Sequence, residues 1–220
     1  TVMILMFIGR VKIKYLLSLV LIGIFLMTML VGGIMLSGQA GRIATWESRV
    51  ESFVGGEEQD NYQVEQSKIA IATGGIFGKG PGNSTQRDFL PYAYSDFIYA
   101  LIVEEYGLIG GLLILFLYMF LLYRAGVIVK KSTRTFGAFL SIGLALLLVL
   151  QAIINMGVTV HLFPVTGQTL PFVSMGGSSL IFSSIAIGII LNVSRSVEKS
   201  NSQSEEDTNE EPKKEEGEDA

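Results

Sequence analysis

The chain has 220 residues, of which 50% are hydrophobic and 16% are charged, and its formal net charge is -4 at pH 7. This composition is too apolar for an ordinary soluble domain, and we expect no nucleic-acid partner. The absence of cysteine excludes disulfides and thiolate metal sites. The composition therefore predicts a membrane protein.

Four runs are long and apolar enough to cross a bilayer as helices. They cover residues 15–36, 97–123, 136–160 and 176–193. Residues 1–9 would rise only about 14 Å as a helix, so we interpret them as the end of a truncated span in the C-terminal part of a longer protein. The predicted fold is an all-α polytopic membrane protein with four full transmembrane helices, a truncated one and a large extracytoplasmic loop.

Basic residues in the short connections predict the orientation of these spans. They are Arg10, Lys12, Lys14, Arg124, Lys130, Lys131 and Arg134. Both connections should face the cytoplasm, which leaves residues 37–96 and 161–175 outside. The tail, residues 195–220, carries ten acids from Glu198 onward and no large apolar residue after that position. We therefore expect it to be a disordered acidic segment in the cytoplasm.

The first part of the large outer loop predicts an amphipathic helix. Its apolar residues recur at three- and four-residue steps, and they are Ile43, Trp46, Val50 and Phe53. Two interpretations are equally open. The helix either contacts a lipid substrate at the membrane surface or packs on the other spans with Trp46 at the headgroups.

Glycines dominate the next part of the loop, residues 74–82. The stretch GGIFGKG has the wrong spacing for a nucleotide-binding P-loop, and Gly80 stands where Ser or Thr should hold the metal. We therefore expect no nucleotide cofactor. The glycines leave two alternatives, a backbone nest that cradles phosphate or a flexible loop.

Acidic residues interrupt the apolar pattern where the second full span begins. Asp96 directly precedes Phe97, which predicts that its carboxylate caps the helix. Such a position also suits a general base at the water-membrane boundary. Glu104 should lie about 12 Å deeper, with Glu105 on the face opposite Asp96. Acids inside a span are functional candidates that face a cavity or pair with a basic group.

The second outer loop ends in Gly176, Gly177, Ser178 and Ser179, which lead into the last span. This sequence is compatible with an anion site or with close helix packing. Gln151 and Asn155 lie four residues apart on one face of the third span, and we expect both to bond to neighbouring helices.

Two long motifs in this chain resemble the FtsW/RodA/SpoVE family of shape, elongation, division and sporulation proteins. They are YQVEQSKIAIATGGIFGKGPGNSTQRDFLPYAYSDFIYALIVEEYGLIGG and PVTGQTLPFVSMGGSS. The resemblance extends from about Thr1 to Arg195, and GPGNSTQ with Thr169 is most similar to the division member, FtsW. It implies that the chain holds the last four membrane helices of the family and the end of the helix before them.

The resemblance implies a peptidoglycan glycosyltransferase that polymerises lipid II at the outer face of the bacterial cytoplasmic membrane, at the division septum. The implied partners are lipid II, a class B penicillin-binding protein (an FtsI-like transpeptidase) and other divisome membrane proteins. The alternatives are a lipid II flippase and a non-catalytic divisome scaffold. Because the acids cluster at the outer edge of the spans, catalysis there is favoured. The chain by itself should be inactive, since the preceding helices would supply further residues.

The implied reaction needs one base, and cations must stabilise the departing pyrophosphate. Asp96 matches the family's essential aspartate and is the expected base, while Asp88 is expected to hold a divalent cation, Mg²⁺ or Mn²⁺. The expected substrate-binding residues are Lys68, Lys79, Arg87, Gln66, Ser67, Asn83, Ser84, Gln86, Glu104, Thr166, Ser178 and Ser179. Two departures from the family pattern, Tyr94-Ser95 and Met175, affect substrate contacts rather than the carboxylate.

Overall fold

The structure is a computed structural model that describes residues 1–36, 58–90, 93–132 and 134–215. The residues within these ranges form six helices, which are α1 (Val2–Ile8), α2 (Ile13–Leu36), α3 (Glu58–Gly74), α4 (Ile98–Lys131), α5 (Thr135–Thr159) and α6 (Gly177–Glu215). No strand occurs in these described ranges. Four helices, α2, α4, α5 and α6, are long and apolar enough to cross a membrane. The predicted all-α, multi-pass architecture is therefore confirmed, while the predicted amphipathic helix lies outside the described residues.

The core lies between α4, α5 and α6. Small residues line the contacts, among them Ala125, Ala145 and Ala152, which are fully buried. Small side chains let membrane helices approach closely. Large apolar residues on the outer faces, such as Phe116 and Phe120, remain exposed, as expected for side chains that face lipid.

The loop around Asp96 and the basic end of α4 lie at opposite ends of this bundle. At one end, the side-chain amide of Asn155 on the last turn of α5 donates to the carbonyl of Asp96 (2.9 Å). At the other end, Arg124 and Lys131 of α4 line a groove against α6. The length of a membrane helix therefore separates Asp96 from these basic residues.

Two helices extend further than the sequence predicted. α4 continues to Lys131, so Arg124, Lys130 and Lys131 lie on a helix rather than in a connection. α6 continues to Glu215, and the prediction of disorder is wrong for residues 195–215. A helix that is already nucleated extends without a further nucleation cost, and Glu and Lys are good helix formers. An acidic composition therefore did not prevent helix formation here.

The helix α3 was not predicted, although its sequence carries a signal. Val64, Ser67, Ala70 and Gly74 recur at three- and four-residue steps, and all four are buried. They form a narrow face of small residues that packs α3 closely on α4. The predicted large loop therefore contains a packed helix in its second half.

Backbone contacts join the segment after α3 to a break in α4. The break is at Gly107, where φ is 72° and ψ is -173°. Across it, the amide of Lys79 donates to the carbonyl of Glu104 (2.9 Å), and the amide of Leu108 donates to the carbonyl of Gly75 (2.9 Å). These bonds satisfy groups that a continuous helix would have paired within itself.

Glycine is required where the two backbones touch. A Cβ atom on Gly74 would lie 2.1 Å from the carbonyl oxygen of Val103, and one on Gly107 would lie 2.1 Å from that of Ile76. No side chain fits at such distances. Of the glycines predicted to form a nest or a flexible loop, Gly74 and Gly78 therefore serve close packing, whereas nothing lies within 4 Å of a Cβ atom added to Gly75 or Gly82.

Candidate functional site

Asp96 lies in the turn before α4, where its carboxylate is half-buried. The hydroxyl of Ser95 donates to its Oδ1 at 2.8 Å. On the other side, a Cβ atom on Gly167 would lie 3.7 Å from Oδ2, so the backbone of the second outer loop faces this oxygen. The prediction that Asp96 caps the helix is wrong. The N-cap is Phe97, and no side chain makes a cap hydrogen bond there, so the carboxylate is not held by helix amides.

The backbone around Asp96 is instead joined to the second outer loop. The amide of Met175 donates to the carbonyl of Tyr94 (2.8 Å), and the hydroxyl of Ser174 donates to the carbonyl of Ser95 (2.6 Å). Ser174 is 3% exposed, so this contact is shielded from solvent. The two loops therefore form one layer at the end of the bundle, and the Asp96 carboxylate lies within that layer.

Glu104 is enclosed by the segment that follows α3. It is 0% exposed, and its Oε1 accepts hydrogen bonds from the ammonium of Lys79 (2.6 Å) and from the amide and hydroxyl of Thr85 (3.1 and 2.8 Å). Its Oε2 accepts from the hydroxyl of Ser84 and the amide of Gln86. Pairing with a basic group was one of the two predicted roles for this acid, and the structure shows it. Both oxygens of this carboxylate are therefore occupied by protein donors.

The same contacts change the prediction for Lys79. Its side chain is 26% exposed, and its charge is balanced by Glu104. The amide groups of Gly78, Lys79 and Gly80 all donate to protein carbonyls, so these residues do not form a backbone nest open to phosphate. Lys79 therefore attaches the segment after α3 to α4, and its charge is not free to bind a substrate anion.

Two residues from α3 that were predicted to contact substrate have different surroundings. Ser67 is fully buried, and its hydroxyl bonds to the carbonyls of Val64 (2.8 Å) and Thr159 (3.2 Å), which joins α3 to the end of α5. Lys68 is exposed. Burial and the positive charge of Lys68 lower the pKa of His161, which places this lysine near the start of the second outer loop. Ser67 is therefore structural, and Lys68 is available to an anion.

The other predicted substrate-binding residues divide by exposure. Half-buried positions are Gln66, Ser84, Gln86 and Ser179, and exposed positions are Asn83, Arg87, Thr166 and Ser178. The side-chain amide of Asn83 donates to the carbonyl of Lys79 (3.2 Å), and Ser179 accepts from the hydroxyl of Thr169 (3.1 Å). Ser178 and Ser179 also line a cavity of about 420 Å³ between α5 and α6. The exposed members of this set remain predictions.

Asp88 was predicted to hold a divalent cation. Its side chain is 82% exposed, and its Oδ1 lies 3.6 Å from the Nε of Arg87. Within the described ranges, no three acidic or histidine side chains are grouped as metal ligands. One exposed carboxylate beside a guanidinium is not a preformed cation site. The residues therefore do not fit a resident metal, and we assign no reaction step to one.

Comparison with known sequences shows the family to which the chain belongs. The model of the FtsW/RodA/SpoVE family, described as cell cycle protein, matches residues 1–199. The chain belongs to this family. It is 43% identical over 150 residues to a probable peptidoglycan glycosyltransferase FtsW from Trichlorobacter lovleyi, which covers 66% of this chain and 39% of the relative. It is 47% identical over 135 residues to stage V sporulation protein E from Bacillus subtilis, which covers 61% of this chain and 37% of the relative.

The structure also has a solved counterpart. One chain superposes with a TM-score of 0.61 and 26% sequence identity, over 88% of this chain and 52% of its own length. That structure concerns the coordination of polymerization and crosslinking by a peptidoglycan synthase complex. This chain spans less than half the length of the two curated relatives named above.

Sequence reasoning missed several residues that shape the site. Asn155 and Gln151 were expected to bond to neighbouring helices, but both donate to loop carbonyls. Asn155 donates to the carbonyls of Asp96 and Gln168, and Gln151 donates to the carbonyl of Thr169. Ser174 was not singled out. A polar amide in the last turns of a membrane helix was the available signal, since its partner must then come from a helix or from a loop at that end.

Proposed function

We propose that this chain carries the catalytic base of a peptidoglycan glycosyltransferase that polymerises lipid II into glycan strands during bacterial cell division. The observation that carries the proposal is the position of the half-buried Asp96 at the start of a membrane helix, between two joined loops. The names of the relatives support this class of reaction. The site is proposed to face outward at the septal cytoplasmic membrane, in a full-length enzyme of which this chain alone would be an inactive part.

In the proposed reaction, a hydroxyl of the acceptor sugar attacks the anomeric carbon of the lipid-linked donor. Asp96 takes the hydroxyl proton as the new glycosidic C–O bond forms. The bond between the anomeric carbon and the diphosphate breaks, and its electron pair leaves with the diphosphate. A carboxylate that accepts one hydrogen bond from a neighbouring serine keeps lone pairs free for this proton.

Cations are needed where charge develops on the leaving diphosphate. Lys68 and Arg87 are exposed, and we assign this role to them before Lys79, whose charge is already balanced by Glu104. The exposed polar side chains Asn83, Thr166 and Ser178 are proposed to contact the sugar or phosphate groups. The substrate already carries its leaving group, so the reaction requires no nucleotide.

The proposed partner is a class B penicillin-binding protein of the FtsI-like transpeptidase type, together with other divisome membrane proteins. The superposition on a chain of a peptidoglycan synthase complex supports a partner that cross-links the strands. In such an assembly, the polymer made at Asp96 would pass directly to the transpeptidase.

A lipid II flippase is the second candidate, and the distribution of charge disfavours it. A path for a diphosphate across the bilayer needs polar or ionisable groups at successive depths. Within α4, the described acids are Glu104 and Glu105, and Glu104 is enclosed by protein donors. The acids of α4 therefore lie at one end of the bundle, as a site at one membrane surface requires.

The test uses the full-length protein with its transpeptidase partner, supplied with lipid II in liposomes or detergent. Asp96→Asn should reduce strand synthesis by at least about 100-fold, because a general base contributes a factor of this size. Glu105→Gln is the matched control, since it makes the same carboxylate-to-amide change nine residues further on. The control should keep its activity within about threefold, because removing an acid outside the site changes little.

The three function classes give different outcomes in this assay. A glycosyltransferase loses polymer with Asp96→Asn while folding and partner binding are retained. A scaffold makes no polymer in either form. A flippase moves labelled lipid II between leaflets without forming polymer. Full polymer synthesis by Asp96→Asn would overturn the assignment of the base.

A further inference from the structure

We propose that Asn155 is a positioning residue for the base, and that it acts by holding the backbone of Asp96 and the second outer loop in one fixed arrangement. This inference rests on the proposed function, because it concerns the same carboxylate. Asn155 lies on the last turn of α5, a helix packed along α4, and it is 1% exposed. It cannot touch a substrate through solvent, so its effect must pass through the groups it holds.

The side-chain amide of Asn155 donates to two carbonyls that belong to different loops. Its Nδ2 lies 2.9 Å from the carbonyl oxygen of Asp96 and 2.6 Å from that of Gln168. An amide NH₂ group has two donors, and both are used here. The Oδ1 of Asn155 accepts no hydrogen bond from the described residues. The two donor bonds therefore account for the described polar contacts of this side chain.

One of the two carbonyls belongs to Asp96 itself, and the other belongs to the loop that faces its carboxylate. Asp96 provides one carbonyl, and Gln168 directly follows Gly167, the residue whose backbone faces Oδ2 of Asp96. Fixing both carbonyls on one amide sets the distance between the carboxylate and the loop that covers its far side. A reaction that needs aligned atoms is sensitive to this distance, because a displacement of about 1 Å can cost about 100-fold in rate.

Gln151 shows what an amide on the same face of α5 does without this geometry. Its Nε2 donates to one carbonyl, that of Thr169, at 3.0 Å. It lies one helical turn from Asn155 and bonds to no group of Asp96 among the described residues. It stabilises the second outer loop alone, so it offers a matched control within the same helix.

The experiment measures kcat and KM for strand synthesis with the full-length enzyme and its partner, normalised to folded enzyme. Asn155→Asp keeps the shape of the side chain but replaces the donors with acceptors that repel both carbonyls, and Asn155→Ala removes the donors without adding charge. We expect each to lower kcat by about 100-fold, with KM changed by less than about threefold. Gln151→Ala should stay within about threefold.

A purely structural role would reduce the amount of folded protein and leave kcat per folded enzyme unchanged, and that result would overturn the inference. If Asn155→Asp does not fold, Asn155→Ala carries the test, and an unchanged kcat per folded enzyme in this variant would also overturn it. The inference and the proposed function fail in different ways. Activity in Asp96→Asn removes the proposed function, whereas an inactive Asp96→Asn with a fully active Asn155→Ala removes the positioning role alone.

Discussion

Asp96 and Glu104 are two acids at the same end of α4, and the structure gives them opposite environments. Glu104 is fully buried and accepts hydrogen bonds at both oxygens from four residues of the segment after α3. Asp96 is half-buried, and its one described side-chain partner is the hydroxyl of Ser95. The first acid is occupied by the protein, and the second has lone pairs left for other molecules.

The difference lies in which part of each residue the fold holds. At Glu104 the carboxylate itself is held, and it attaches a loop to a helix. At Asp96 the backbone is held, through Asn155 and the adjacent Ser95 carbonyl, and the carboxylate is left accessible. A reactive carboxylate needs a fixed position together with unoccupied lone pairs, and anchoring through the backbone allows both. We infer that Glu104 stabilises the fold and that Asp96 serves the proposed reaction.

The largest effect on stability should come from Glu104→Gln. The amide leaves the ammonium of Lys79 without a counter-charge in a partly buried site. Breaking such a pair costs about 3 kcal/mol, at the low end for buried pairs because Lys79 is a quarter exposed. The free energy of unfolding, measured by denaturant titration in detergent, should fall by this amount. Asp96→Asn should change it by less than about 0.5 kcal/mol.

The comparison between the acids fails if these results are exchanged. A stable Glu104→Gln protein would show that the pair with Lys79 contributes nothing. A strongly destabilised Asp96→Asn protein would show that the Asp96 carboxylate also holds the fold. Glu105→Gln serves as control, because its side chain makes no described hydrogen bond or ion pair, and it should remain within about 0.5 kcal/mol of the parent.

Several features of this fold are readable from local sequence. The four spans follow from the length of apolar runs, and Asp96 stands out because it is an acid at the first residue before such a run. The pairing of Glu104 with a basic group was predicted as one of two roles from the cost of burying a charge. These predictions need only one segment and its immediate surroundings.

Other features depend on residues that are distant in sequence. The partner of Glu104 is 25 residues away, and the bond from Asn155 to Asp96 spans 59 residues. Composition does not reveal such pairs. The close-packing role of Gly74 and Gly78 was missed for the same reason, since it comes from contact with α4 near its break at Gly107, which has no signature near these glycines. Long-range contacts, rather than helix positions, limited the predicted site.

The backbone contact between Gly74 at the end of α3 and Val103 on α4 is also testable. Gly74→Ala would place a Cβ atom 2.1 Å from the carbonyl oxygen of Val103, which must move away. Overpacking of this kind costs about 2 kcal/mol, and thermal unfolding in detergent would report it. Gly126→Ala is the control in α4, because nothing lies within 4 Å of its added Cβ. It should be neutral or slightly stabilising, and equal losses in both variants would contradict close packing at Gly74.

The smallest effect on stability should come from the contact between α4 and the second outer loop at Pro171. The hydroxyl of Tyr118 on α4 donates to the carbonyl of Pro171, which ties the second outer loop to the bundle. Tyr118→Phe keeps the ring in the core and leaves that buried carbonyl without this donor, so the free energy of unfolding should fall by about 1 kcal/mol. Tyr123→Phe, on the same helix but exposed, should change it by less than about 0.5 kcal/mol.

The loop stays attached to the Asp96 backbone through Ser174 in both variants, so kcat per folded enzyme should stay within about twofold of the parent. A loss of kcat in Tyr118→Phe without a loss of stability would show that this bond aligns the base. The residue Tyr118 on α4 would then position Asp96 for the reaction in addition to stabilising the fold.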